Sequence, residues 1–236
     1  MEGFTYNNIF ETKGIEYLII IGFLLLIIPF WIFINKQAAV KAKIKRAVGI
    51  LSESILRIPK GLFYSKNHTW AHLQKSGNAI VGLDDFLLHI TGEVRFKNLK
   101  VQGDFIQKGE IMAEVMQDGK TLQITSPLSG EIFGLNSLLN KNPSLLNEDP
   151  YGEGWLYSIR PTAWIRDTSS YFLADEAVAW SKKELLKFRD FMAESMKKQS
   201  PETAMLILQD GGELCDRPLS ELPEAVWQDF QKSFLN

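Results

Sequence analysis

The spacing of hydrophobic and polar positions changes along the chain. From Tyr17 to Ile34 no residue is charged and most are apolar. As a helix this run rises about 27 Å, and with Ile15 and a tilt it predicts a span over 15–35 matched to a hydrocarbon core of about 30 Å. Tyr17 and Trp31 lie near its two ends, where amphipathic rings prefer the interface, and Pro29 is placed to kink it. Residues 38–58 carry Val40, Ile44, Val48, Leu51 and Ile55 at helical spacing, and Pro59-Lys60-Gly61 closes that element. From Leu62 to Pro161 the period drops to two. Strands are expected around 70–73, 79–83, 94–96, 111–115, 121–124 and 131–133, with a short helix over 84–90 capped by aspartate. Such a sequence predicts a mostly antiparallel sandwich or barrel.

After Pro161 helical spacing returns. Ala177, Trp180, Leu185, Phe188, Met192 and Met196 stripe a long helix over 173–198, which Ser200-Pro201 stops. Residues 204–208 read as a strand or helix end before a turn at 209–213. Pro223 opens a last helix striped by Val226, Trp227, Phe230, Phe234 and Leu235. A tail of this size cannot bury much alone, so it is expected to fold back on the barrel or grip another protein.

Charge adds an orientation and excludes some functions. Lys36, Lys41, Lys43, Lys45 and Arg46 follow the apolar run, with no acid before Glu53. Positive flanks stay in the cytoplasm, and the acidic start argues against a cleaved signal peptide. The expectation is therefore a single-pass protein of the inner (cytoplasmic) membrane, with its N-terminus outside and its main domain in the cytoplasm. The formal net charge of −2 argues against nucleic acid as a partner. The single cysteine, Cys215, excludes a disulfide framework or a thiolate metal cluster within one chain.

The motifs of the central stretch resemble those of the H protein of the glycine cleavage system. Tyr64-Ser65-Lys66-Asn67-His68-Thr69-Trp70, Val81-Gly82-Leu83-Asp84-Asp85-Phe86, Gly103-Asp104 with Lys108-Gly109-Glu110, and Ser126-Pro127-Leu128-Ser129-Gly130-Glu131 follow that family's order. The run from Asn142 to Leu156 is close to its closing signature. The resemblance covers residues 62–161. It implies a mainly β fold with added α, a barrel-sandwich hybrid of the lipoyl-domain kind. To this the residues add the N-terminal transmembrane helix and the C-terminal helical extension. The implied organisation is a short extracytoplasmic N-terminus (1–14), the span (15–35), a basic juxtamembrane helix and linker (36–61), the H-protein-like domain (62–161) and the mostly helical extension (162–236).

The resemblance also implies a lipoyl group on a hairpin lysine within a Glu-Ser-Val-Lys-Ala-like segment. Aligned without gaps from Ala113 to Gly130, the lysine position falls on Gly119 and the preceding acid on Met116. Lys120 stands one place late. Asp118-Gly119 is itself a two-residue hairpin signal that sets Gln117 opposite Lys120, and a shift of one residue reverses the face a side chain takes. Two functions remain open. One is a non-lipoylated docking or structural subunit of a membrane-associated complex, a redox complex among the candidates, bound to the membrane through 15–35 and to protein partners. The other is a carrier with lipoate on Lys120, moving aminomethyl groups, reducing equivalents or sulfur. Lipoate is the only cofactor considered, and no metal is expected. An independent enzyme is disfavoured. His68 and His72 lack a third ligand, His89 ends an apolar helix, and Asp84 with Asp85 is explained by a helix cap. Glu148, Asp149 and Glu153 fit a solvated turn, and Gly211-Gly212 lacks a phosphate-loop context.

Overall fold

The computed structural model describes residues 14, 17–31, 50–51, 56–199, 208–209, 213–215, 217–220 and 222–236. The chain divides into two units, 1–49 and 50–236. In the first, residues 17–31 form a helix, α1, with an apolar and largely exposed surface. Among the described residues no helix is long and apolar enough to cross a membrane. The described part of α1 rises only about 22 Å at about 1.5 Å per residue, short of a hydrocarbon core of about 30 Å. This overturns the expected transmembrane helix over 15–35. With it go the membrane as a partner and the inner-membrane placement with its orientation. Residues 15, 16 and 32–35 of that stretch lie outside the described residues. So does most of the helix expected over 38–58, while its Ile50 and Leu51 form strand β1 (Ile50–Leu51).

The second unit is built on antiparallel pairing, in which apolar runs such as 79–83 are buried on both faces and alternating ones such as 120–125 bury one face. Six strands order as β2 (Phe63–Tyr64), β3 (Thr69–Leu73), β4 (Ala79–Leu83), β10 (Tyr157–Pro161), β9 (Gly130–Leu135) and β6 (Phe105–Ile106). A second sheet orders as β5 (Arg95–Asn98), β7 (Ile111–Gln117) and β8 (Lys120–Thr125). Val81, Leu83, Val115, Leu122, Ile124, Ile132 and Ile159 fill one shared core. A small third sheet joins β1 to β12 (Glu213–Cys215) and β11 (Leu208–Gln209). Of the 204–213 stretch, residues 204–207 and 210–212 lie outside the described residues, and with them Gly211-Gly212.

Trp70 shows how close the packing is. It pairs with Gly82 across β3 and β4, and a Cβ at Gly82 would stand 2.6 Å from the indole. The bare glycine lets the ring lie on the strand, and its Nε1 donates to Leu83 O at 2.9 Å.

Helix α2 (Asp85–Thr91) begins as its sequence implies, with Leu87 N donating to Asp84 Oδ1 at 2.9 Å. Two single turns follow β9: α3 (Leu138–Lys141) and α4 (Leu145–Glu148). Asn142 ends α3, its N–H donating to Leu138 O, and Ser144 precedes α4. After α5 (Trp164–Thr168), helix α6 (Ala174–Gln199) buries Ala177, Trp180, Leu185, Phe188 and Met192. Helix α7 (Glu224–Phe234) buries Val226, Trp227, Phe230 and Phe234. Phe230 stacks on Phe234 at 4.7 Å, and Phe188 of α6 meets Phe230 edge-on at 5.8 Å. The tail thus folds back onto the barrel and completes its core.

Candidate functional site

The β7–β8 hairpin is the place where a carrier lysine would stand. Its turn residues, Asp118 and Gly119, both have positive φ, 49° and 81°. That is the geometry of a type I′ turn, which follows the natural twist of the strands and suits Asp-Gly. Gln117 stands opposite Lys120, as that turn requires. A Cβ at Gly119 would have nothing within 4 Å, so the direction a side chain would take from that position is open.

Lys120 points elsewhere. On β8 it shares a face with Leu122 and Ile124, both buried in the core, because side chains two apart lie on one side of a strand. Its stem is therefore half-buried. The amine turns toward the C-terminal segment, donating to Ser220 O at 2.5 Å and Leu222 O at 3.2 Å. It also lies 5.1 Å from the centroid of the Trp227 ring, within reach of a cation–π attraction.

The same segment closes the outer edge of β8. Gln123 N donates to Gln231 Oε1 at 2.7 Å, and Gln231 Nε2 donates to Gln123 O at 3.1 Å. One side-chain amide thus replaces a neighbouring strand on an edge that would otherwise invite pairing. Trp227 is fully buried and its Nε1 donates to Leu219 O at 2.8 Å, which fixes the turn that presents the two carbonyls to Lys120. Sequence reasoning identified Lys120 but not Ser220, Leu222 or Gln231. Backbone carbonyls carry no residue signature, and a glutamine among polar helix positions looks like solvated surface.

The other candidates fall into structural roles. His68 is fully buried with φ +57° and donates from Nδ1 to Asp84 Oδ2 at 2.8 Å. Its Nε2 has no hydrogen-bond partner among the described residues and stands 3.9 Å from Glu184 Oε2. The ring is stacked on Phe86 at 4.5 Å and tilted against Trp180 at 5.2 Å. His72 lies exposed on β3, apart from this cluster. Among the described residues no group of three or more His, Cys, Asp or Glu side chains could hold a metal ion.

Asp84 is the expected cap, but Asp85 does more than begin a helix. It accepts from Arg57 N at 2.8 Å and from the Arg57 guanidinium at 3.1 Å, and it lies 3.4 Å from His89 Nε2. Burial pushes its carboxyl up, but hydrogen bonds from His89 and Arg57 and their charges outweigh this and hold it below the ordinary range. Arg57 also reaches the Asn147 and Glu148 carbonyls, so this cluster ties the chain before β2 to α2 and α4. Of the acidic turn residues, Asp149 Oδ2 accepts from Glu153 N at 2.8 Å and Glu148 Oε1 accepts from Ser144 Oγ at 2.8 Å. Both carboxylates are used within their own turns.

Residues 62–184 match the glycine cleavage H-protein family. The glycine cleavage system H protein of Thermus thermophilus is 39% identical over 104 residues, covering 44% of this chain and 80% of that protein. The probable glycine cleavage system H protein of Thermococcus kodakarensis is 33% identical over 106 residues, covering 45% of this chain and 78% of that protein. Among solved structures, the glycine cleavage system H protein from Mycobacterium marinum aligns at 28% identity with a TM-score of 0.47, covering 52% of this chain and 98% of that one. The β-rich architecture with added helices is of the lipoyl-domain-like kind that the motifs imply.

Proposed function

The chain belongs to the glycine cleavage H-protein family, and from that membership we propose that it is a non-lipoylated relative of the carriers, acting by docking to partner proteins. Members of this family carry a lipoyl group on a lysine and are carriers rather than catalysts, so the chain is read as a protein without an active site of its own. One observation supports the loss of cargo. The tip of the hairpin is Asp118-Gly119, and the neighbouring lysine has its amine bound to two carbonyls of the C-terminal segment. A lipoyl arm is amide-linked through a lysine amine that projects from the tip. No amine projects there, so the residues present do not fit the group.

The retained barrel then serves as a recognition surface. Partners of the class met by the relatives, protein components of a glycine cleavage system, are the first to test. The carrier reading, with lipoate on Lys120, requires that amine to leave both carbonyls and turn outward past the tip.

The test is co-expression of the full chain with lipoylating enzymes in cells where other proteins become lipoylated, followed by peptide mass spectrometry of residues 109–130. The expected result is no adduct on Lys120, together with an adduct on the triple variant Met116→Glu, Gly119→Lys, Lys120→Ala, which restores the family's pattern at the tip. A lipoyl adduct on Lys120 of the unaltered chain overturns the proposal.

A further inference from the structure

We propose that acylation of Lys120 and docking of the C-terminal segment on the hairpin exclude one another. The segment from Arg217 to Leu235 then guards the amine, and modification of the amine frees the edge of β8. This rests on the reading of the hairpin given above and adds a regulation to it.

The geometry makes the two states incompatible. As an ammonium group, Lys120 Nζ has three donors and a full charge. It spends them on Ser220 O, Leu222 O and the Trp227 ring. Acylation joins Nζ to the acyl carbon, expels the leaving group of an activated acyl donor, and releases two of the ammonium group's three protons to water. The product is a neutral amide with one N–H. It cannot serve both carbonyls, it has no charge to place over the indole, and it adds bulk where the donor–acceptor distance is 2.5 Å. The contact lies next to the second attachment of the same segment, the Gln231 amide on the Gln123 backbone. Losing the first loosens the second, and β8 regains an open edge of the kind that an extended partner segment can join. Reciprocity follows from linkage: whatever acylation costs docking, docking costs acylation in equal measure.

The experiment uses the full chain. Limited acetylation with an N-hydroxysuccinimide ester, read lysine by lysine by mass spectrometry, compares Lys120 with the exposed Lys66 and Lys75. Lys120 is expected to react at least about tenfold more slowly, because the amine must leave its two carbonyls before it can attack the ester. Gln231→Ala is expected to raise its rate several-fold and leave Lys66 unchanged. Hydrogen exchange supplies the reciprocal measurement. Lys120→Gln, which mimics the acylated side chain, is expected to raise exchange across 224–235 by about tenfold with β3 and β4 unchanged, and Lys120→Arg to keep the protection.

Acetylation of Lys120 as fast as Lys66 overturns the guard. Unchanged exchange in Lys120→Gln overturns the coupling. If Lys120→Gln exchanges throughout the barrel, the segment is an ordinary part of the fold and the proposal is equally lost. A lipoyl adduct found on co-expression would defeat the functional reading alone, because the exchange comparison does not depend on which acyl group is natural.

Discussion

Asp84 joins two structural tasks in one buried carboxylate, and truncating it measures both. Oδ1 accepts the Leu87 N–H that would otherwise be unpaired in the first turn of α2, and Oδ2 accepts from His68 Nδ1 at 2.8 Å. Loss of an N-cap side chain costs about 1 kcal/mol. Loss of the acceptor for a buried donor costs about 1–3 kcal/mol, and His68 is fully buried. Asp84→Ala is therefore expected to lose about 2–4 kcal/mol. Asp84→Asn keeps an acceptor for Leu87 N. Its amide can donate to His68 Nδ1 if the ring shifts its proton to Nε2, toward Glu184 Oε2 at 3.9 Å. Its cost should be about 1 kcal/mol. Equilibrium unfolding in urea reads this as a fall in the midpoint at constant slope, about 1 M for Asp84→Ala at a slope of about 2–3 kcal/mol per M. A loss below about 0.5 kcal/mol, the range of an ordinary surface change, would refute the pairing. So would Asp84→Asn proving as costly as Asp84→Ala, since the cap would then not be separable from the histidine contact.

Acid should weaken the fold through Asp85. Its carboxyl is held below its ordinary range, so its stabilisation is complete above the unfolded carboxylate pKa, about 3.9, and is lost as pH falls through the lower folded value. Urea midpoints measured from about pH 5 to pH 3 should fall less steeply in Asp85→Asn than in the unaltered chain. Gly130→Ala places a Cβ 2.2 Å from Arg160 O, where the β9–β10 ladder cannot yield, and should cost about 1–3 kcal/mol. Gly134→Ala on the same strand meets nothing within 4 Å and should stay within about 0.5 kcal/mol, so equal melting temperatures for the two would refute the crowding argument. Trp227→Ala removes a fully buried ring and should cost about 3–5 kcal/mol by urea unfolding, far more than a helix merely resting on the surface would show.

What could be read from the chain follows the length over which each signal repeats. The apolar run of β4 and the alternation of β8 last long enough to declare strands, and Asp118-Gly119 declares its turn because few residues accept two successive positive φ angles. Asp84 shows its cap by standing before Phe86, Leu87 and Leu88. Two-residue strands have no period. Nothing in Ile50-Leu51 indicates that it pairs with Leu214 and Cys215, more than 160 residues away, and its apolar residues fit a helical stripe equally well. The uncharged run near the start shows the opposite failure. Hydropathy measures how apolar a segment is, whereas a span also needs length, and among the described residues no helix is both long and apolar enough. Asp85 was legible as part of a cap, yet its partner Arg57 comes from an element of no regular structure.

The hairpin site separates what register can reveal from what only packing can. A strand has two faces and a tip has none. Moving a lysine by one residue from the tip into β8 therefore fixes which face it takes, once Leu122 and Ile124 are known to face the core. The face toward the core is costly for an ammonium group unless acceptors meet it there. The inner strands cannot supply them, because their carbonyls are spent in the ladder, and on the open edge of β8 the Gln123 carbonyl is already taken by Gln231. The acceptors must come from a segment with free carbonyls. The turn before α7 provides Ser220 O and Leu222 O, and Trp227 and Gln231 hold that turn in place. The inward lysine and the C-terminal extension are thus two halves of one arrangement: without the extension Lys120 would have to swing back toward water, and without Lys120 those two carbonyls would lose their charged donor. An amine held in this way contributes to folding, which is a different task from carrying a mobile arm.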